Sequence, residues 1–203
     1  MKKKKKKLKK EILFMLIFLV ILGIGGGYYI TTRHNDIEEY NVEGLSIQHQ
    51  FLTVNPYSRS GKNLPRVNGI VVHYTANPGS TAQNNHDYFE SLKNKKTASV
   101  SSHFIIGLKG EIIQCIPLNE VAYASNNRNK DTISIECCHP DKSGKFNTQT
   151  YQSLQKLVQA LMKTYHLDQD NIIRHYDVTK KICPKYFVDY PEEWEKFLDS
   201  LEN

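Results

Sequence analysis

Two histidines stand directly behind apolar runs: His73 in Ile70-Val71-Val72-His73-Tyr74-Thr75, and His175 in Ile172-Ile173-Arg174-His175-Tyr176-Asp177. A strand end is where a sheet offers a side chain to a cleft, and imidazole is the commonest metal ligand. Cys183 follows eight residues after His175, beside Pro184. A thiolate there would complete a three-ligand set with a fourth position left for water, the arrangement of catalytic zinc. By spacing alone other readings stay open: each histidine can be a satisfied structural residue, and the cysteine inert packing. A fourth group comes from Thr132-Ile133-Ser134-Ile135-Glu136-Cys137-Cys138. Strand alternation puts Ile133, Ile135 and Cys137 on one face, and Ser134, Glu136 and Cys138 on the other. A carboxylate on an otherwise apolar strand is costly unless it meets water or a partner. Glu136 therefore faces solvent, sits in a buried ion pair, or serves a site.

The elements that must position these groups alternate along the chain from Val67 onward. Residues 70–72 form a short buried-type strand ending at His73. Ser80 or Thr81 can cap a helix with Ala82, Phe89 and Leu92 on one face. Residues 104–108 and 111–116 are β-rich runs around Lys109-Gly110, a hairpin signal. Residues 132–138 are another strand. Residues 150–165 read as an amphipathic helix, with Tyr151, Leu154, Leu157, Val158, Leu161, Met162 and Tyr165 at helical spacing. Residues 171–174 are a short strand ending at His175. Pro191 opens a last helix with Glu192 and Glu193 in its first turn and Trp194, Phe197, Leu198 and Leu201 on its face. Strands interleaved with helices predict an α/β fold, one mixed central β-sheet flanked by helices.

Charge and hydropathy separate this domain from what precedes it. The 203-residue chain carries a net +6, but eight lysines lie within positions 2–10. The remaining 19 basic residues face 21 acidic ones, so the globular part is slightly acidic. That removes the electrostatic argument for a nucleic-acid partner. Residues 12–30 contain no charged side chain, a length that can cross a bilayer as a helix. The predicted order is a basic cytoplasmic segment (1–11), one N-terminal transmembrane helix (12–30), a polar spacer (31–50) and the domain (51–203). A lysine cluster beside the span stays inside, so the domain is expected outside the cytoplasm, held at the cell membrane. The competing expectation is a signal segment, cleaved near Gly23 or Gly25 to release the protein. Cys115, Cys137, Cys138 and Cys183 do not space like a disulfide scaffold, and adjacent Cys137 and Cys138 are poorly placed to bond each other.

Several segments in order carry a resemblance: residues 71–75, Ser102-His103-Phe104-Ile105-Ile106, Ile112-Ile113-Gln114, Ser134-Ile135-Glu136, and the run from His175 to Pro184. From about Phe51 to Leu201 the chain resembles the N-acetylmuramoyl-L-alanine amidase family, the branch of phage and bacterial autolytic zinc amidases related to peptidoglycan recognition proteins. The resemblance implies a zinc cleft on one side of a mixed sheet, with His73, His175 and Cys183 as zinc ligands. It makes Glu136 the catalytic carboxylate and Lys181 the lysine lining the site. The implied substrate is peptidoglycan, cut at the amide between N-acetylmuramic acid and L-alanine, by a domain expected to work as a monomer. Two positions depart from the pattern. Ser102 stands where many relatives have a tyrosine that assists catalysis, and Lys180 where many have glycine. His103 reads as structural or cleft-lining, His86 and His139 as surface residues, and His34, His49 and His166 carry no expected role. Two rival functions remain: a peptidoglycan-binding module without catalysis, of the kind that has typically lost the cysteine ligand, and a thiol hydrolase built on a Cys183–His175 pair.

Overall fold

The computed structural model describes residue 42 and residues 44–202. The basic segment, the apolar run at 12–30 and most of the expected spacer lie outside the described residues. Among those described, no helix is long and apolar enough to cross a membrane.

Six strands form one sheet: β1 Ile47–His49, β2 Ile70–Tyr74, β3 Phe104–Ile106, β4 Ile112–Gln114, β5 Ile133–Cys137 and β6 Ile172–Arg174. Their order is β1-β4-β3-β5-β2-β6. Only the β3–β4 hairpin is antiparallel; the other neighbours run parallel. The sheet is mixed, as the alternation of elements predicts. It also begins earlier than residue 51, because β1 lies in the stretch expected to be spacer and pairs with β4, Ile47 beside Ile112 and His49 beside Gln114.

Helices cover both faces. The first, α1 Ala82–Lys95, starts at Thr81, whose side chain accepts from the Asn84 backbone while Asn84 returns a bond to the Thr81 N–H. This reciprocal cap satisfies two donors that a helix start leaves orphaned. Ala82 and Phe89 of α1 pack with Leu52, Ile105, Ile113, Cys115 and Cys138.

On the opposite face lie α2 Thr148–Tyr165, capped by Asn147, and α5 Pro191–Asp199, opened by its proline. Leu154, Leu157, Val158 and Leu161 of α2 join Trp194 and Phe197 of α5 against Ile70, Val72, Phe104, Ile133 and Ile135. Phe197 is fully buried and stacks on both Phe187 and Trp194. Burying one such side chain is worth about 1.5–3 kcal/mol. Two short helices, α3 His175–Thr179 and α4 Lys185–Asp189, fill the stretch between β6 and α5.

Two histidines expected at the surface are buried. His86, in α1, places Nε2 2.9 Å from the Gln50 carbonyl. His139 donates from Nδ1 to the Asp141 carbonyl and lies against the Tyr74 ring at 5.1 Å, tilted by 32°. His86 follows polar sequence and is drawn in by a backbone acceptor 36 residues away, whereas His139 directly follows Cys137-Cys138 and bonds a carbonyl only two residues on. The described cysteines are all free and buried.

Candidate active site

Parallel register places the first two groups. In the β2–β5 pairing His73 sits beside Glu136, and paired residues of neighbouring strands point to the same side of the sheet. Ile135 and Cys137 belong to the core under α2 and α5, so His73 and Glu136 point the other way. His73 Nδ1 and Glu136 Oε1 are 4.0 Å apart. The β2–β6 pairing ends with Val72 beside Arg174, and the next residue, His175, opens α3. The two imidazole rings lie 4.6 Å apart, tilted by 54°.

Cys183 is returned to this point by the turn after α3. Lys180 ends the helix with φ +65°, its N–H donating to the Tyr176 carbonyl. This left-handed position favours glycine, the residue that the family resemblance leads one to expect where this chain has lysine. Tyr176 N–H then donates to the Cys183 carbonyl, and Cys183 Sγ comes 3.8 Å from His73 Nδ1. One ligand atom from each of His73, His175 and Cys183 lies within 4.8 Å of the others, and all three residues are buried.

The donor set and its surroundings fit zinc. Each histidine is engaged through Nε2: His73 with Ser125 Oγ at 3.1 Å, and His175 with Asn126 Oδ1 at 3.1 Å. Donation from Nε2–H leaves the Nδ1 lone pair for a metal, the usual outer-shell arrangement of ligating imidazoles. His175 Nδ1 is buried and has no hydrogen-bond partner, an orphan that a metal would satisfy. Burial first, then the charges of His175 and Lys181, hold His73 well below the ordinary imidazole value; burial and then Lys181 lower His175. Both stay neutral, the ligating form. Burial pushes the Cys183 thiol up to about 12, with Glu136 adding to the effect. A thiol of that kind is deprotonated when a divalent cation takes the proton's place. Two imidazoles and one thiolate form a three-ligand catalytic set.

Glu136 is another unmet group at the site. Burial raises its carboxyl to about 8, against the pull of Lys181, and its Oε2 is buried without a partner. Lys181 itself is exposed, and its charge acts on His73, His175, Glu136 and Cys183 alike. The predicted residues therefore gather at one place.

Ser102 and His103 do not join them. Ser102 is fully buried and donates to the Phe104 carbonyl. His103 accepts from the Ser134 N–H at Nδ1 and is 3.0 Å from the Glu120 carbonyl at Nε2, with burial lowering it to about 4. Its role is structural. Sequence reasoning missed Ser125 and Asn126, which lie in a polar loop, Ser125-Asn126-Asn127-Arg128-Asn129, with no period or motif to single them out. Beside them opens a pocket of about 330 Å³ lined by Ser99, Val100, Tyr123, Ala124, Asn126 and Asn129.

Comparison with known proteins agrees with this geometry. A profile of the N-acetylmuramoyl-L-alanine amidase family matches residues 63–186. The chain is 38% identical over 174 residues to the N-acetylmuramoyl-L-alanine amidase CwlL of Bacillus licheniformis, a match covering 77% of this chain and 48% of that protein. It is 34% identical over 175 residues to the N-acetylmuramoyl-L-alanine amidase BlyA of Bacillus subtilis, covering 76% and 46% respectively. The solved catalytic domain of XlyA superposes with a TM-score of 0.65 at 26% identity, covering 77% of this chain and 99% of that one. The chain spans about half the length of the curated relatives it matches. With the profile covering more than half of its residues, the chain belongs to the N-acetylmuramoyl-L-alanine amidase family.

Proposed function

We propose that the domain hydrolyses the amide bond between N-acetylmuramic acid and L-alanine in peptidoglycan, with zinc held by His73, His175 and Cys183. The observation that carries this reading is the convergence of those three buried residues on one point beside Glu136. Zinc in that set would lower the pKa of a bound water and polarise the amide carbonyl.

The chain's own residues supply the rest. Glu136 takes a proton from the attacking water and delivers it to the leaving nitrogen as the carbon–nitrogen bond breaks. Its carboxyl, poised near neutrality by burial, can both accept and return that proton. The ammonium of Lys181, whose charge already acts on Glu136 and Cys183, would favour the negative charge that develops on the carbonyl oxygen. Ser102, locked on the Phe104 carbonyl, takes no part. The presence of Cys183 beside both histidines favours hydrolysis over a module that only binds the wall.

The uncharged run at 12–30 supports the further reading that the domain is tethered to the outer side of the cell membrane. Protease added to wall-stripped cells should then degrade the domain; a cell-associated protein whose N-terminus lies near Gly26 contradicts the tether.

Metal analysis tests the central reading. The purified chain should hold close to one zinc, lose wall-digesting activity in a strong chelator and regain it with added zinc. Cys183→Ser should lower metal content and activity together. Undiminished digestion after complete metal loss contradicts the zinc reading and favours a Cys183–His175 thiol mechanism.

A further inference from the structure

The two imidazoles of the metal cluster come from separate elements, β2 and α3, yet consecutive residues of one loop hold both. Ser125 Oγ meets His73 Nε2, and Asn126 Oδ1 meets His175 Nε2, each at 3.1 Å. Adjacent side chains reach two different rings here with a backbone turned between them: Asn126 adopts φ +53°, a left-handed conformation that asparagine tolerates better than most residues. Asn129 ties that turn down. Its Oδ1 accepts from the Ala124 N–H at 3.0 Å and from the Ser125 N–H at 2.6 Å. Its own N–H donates to the Asn126 carbonyl at 3.1 Å, while Arg128 N–H donates to the Ser125 carbonyl at 2.9 Å. The far end of the loop is fastened too, because Thr132 Oγ1 donates to the Arg128 carbonyl directly before β5, the strand that carries Glu136.

We infer that residues 124–129 act as one positioning element for both metal histidines, with Asn129 as the positioning residue that holds the element in shape without touching either ring. The inference rests on the zinc reading above. An outer-shell partner of a metal-bound histidine is typically worth about 10- to 100-fold in metal affinity. Asn129 controls two such partners at once. Its loss should therefore cost about as much as the loss of both, and its effect should not add to theirs, because the three act through the same two bonds.

The test is zinc affinity of the purified full chain, read by competition with a chromophoric chelator, with thermal unfolding and the visible spectrum of the cobalt-substituted protein beside it. Asn126→Gly is the discriminating variant. Glycine adopts a positive φ freely, so the turn survives while the acceptor for His175 is gone. The expected result is an unchanged melting temperature with zinc bound on the order of tenfold more weakly and an altered cobalt spectrum. Asn129→Ala should weaken zinc about 100-fold, the product of about tenfold for each of the two bonds, and Asn129→Asp, which keeps an acceptor oxygen at the same place, should restore most of the affinity. Wild-type zinc affinity and cobalt spectrum in Asn126→Gly and Asn129→Ala overturn the inference while leaving the zinc reading intact. A wild-type chain that binds no zinc removes both. Should Asn129→Ala fail to fold, Asn126→Gly decides alone.

Discussion

The two faces of β5 use the same backbone for opposite ends. Under α2 and α5 it presents Ile133, Ile135 and Cys137, all fully buried among other apolar side chains. On the other face it presents Ser134 and Glu136, beside His103 and His73. Within that second face there is a further contrast. His103 is satisfied on both nitrogens, whereas Glu136 Oε2 and His175 Nδ1 are buried with nothing to bond. Buried polar groups are nearly always paired, and an unpaired one costs about 1–3 kcal/mol. The apolar face offsets that cost, and the polar face keeps unmet bonding capacity where a metal and a substrate would use it. Stability and chemistry are divided across one strand only a few ångströms thick.

That division is open to direct attack. Glu136→Gln should leave the fold and the zinc content alone and lower turnover by about 10²- to 10⁴-fold, the usual worth of a general acid–base. Wall digestion by the metal-replete variant checks it, and lost zinc would make Glu136 a ligand instead. Lys181→Ala should lower turnover by about 10²- to 10³-fold if its ammonium serves the developing oxyanion as one hole donor does. Both variants should still sediment with intact peptidoglycan.

Phe197→Ala attacks the other face. A cavity there should destabilise the protein by about 3–5 kcal/mol, read by denaturant unfolding, while the folded fraction keeps one zinc per chain and full specific activity. Loss of zinc in proportion to more than the unfolded fraction would show that the faces are not independent.

His103 gives the smallest effect and the finest distinction. Its folded pKa of about 4 lies below the ordinary 6.5, so between those values the native state binds fewer protons than the unfolded chain. Stability therefore rises with pH across that window and is lost as pH falls from 6.5 to 4, by roughly 3 kcal/mol in all. His73, also lowered, acts in the same direction. The slope difference between wild type and His103→Gln isolates the one group, and equal slopes would mean that His103 is not buried neutral.

Much of this division is written locally. The 2-residue period of 132–138 places Glu136 opposite Ile135, and the apolar run before His73 marks a strand end. The Thr81 cap, the Lys109-Gly110 hairpin, the face of α2 and the proline that opens α5 all follow from short-range rules, and the structure has them. What local pattern does not carry is which neighbour an element meets. Strand β1 is three residues long, too short to show a period in the sequence, and pairs with β4. The pairing of His73 with Glu136 is a long-range register, and His86 bonds a backbone oxygen of Gln50, 36 residues away. Ser125 and Asn126 reach the histidines only because Asn129 shapes their turn. The cluster of His73, His175 and Cys183 is legible through the resemblance to known amidases, whereas Ser125, Asn126 and Asn129 carry no local signal and join it only through the fold.

The most direct test is mass spectrometry of the fragments released from purified peptidoglycan by the chain with and without zinc. The account predicts free stem peptides beginning at L-alanine, glycan strands left intact with free muramic carboxyls, and release that appears only when zinc is present. Disaccharide fragments with new reducing ends, peptides cut within the stem, or the same release from metal-free protein would contradict it.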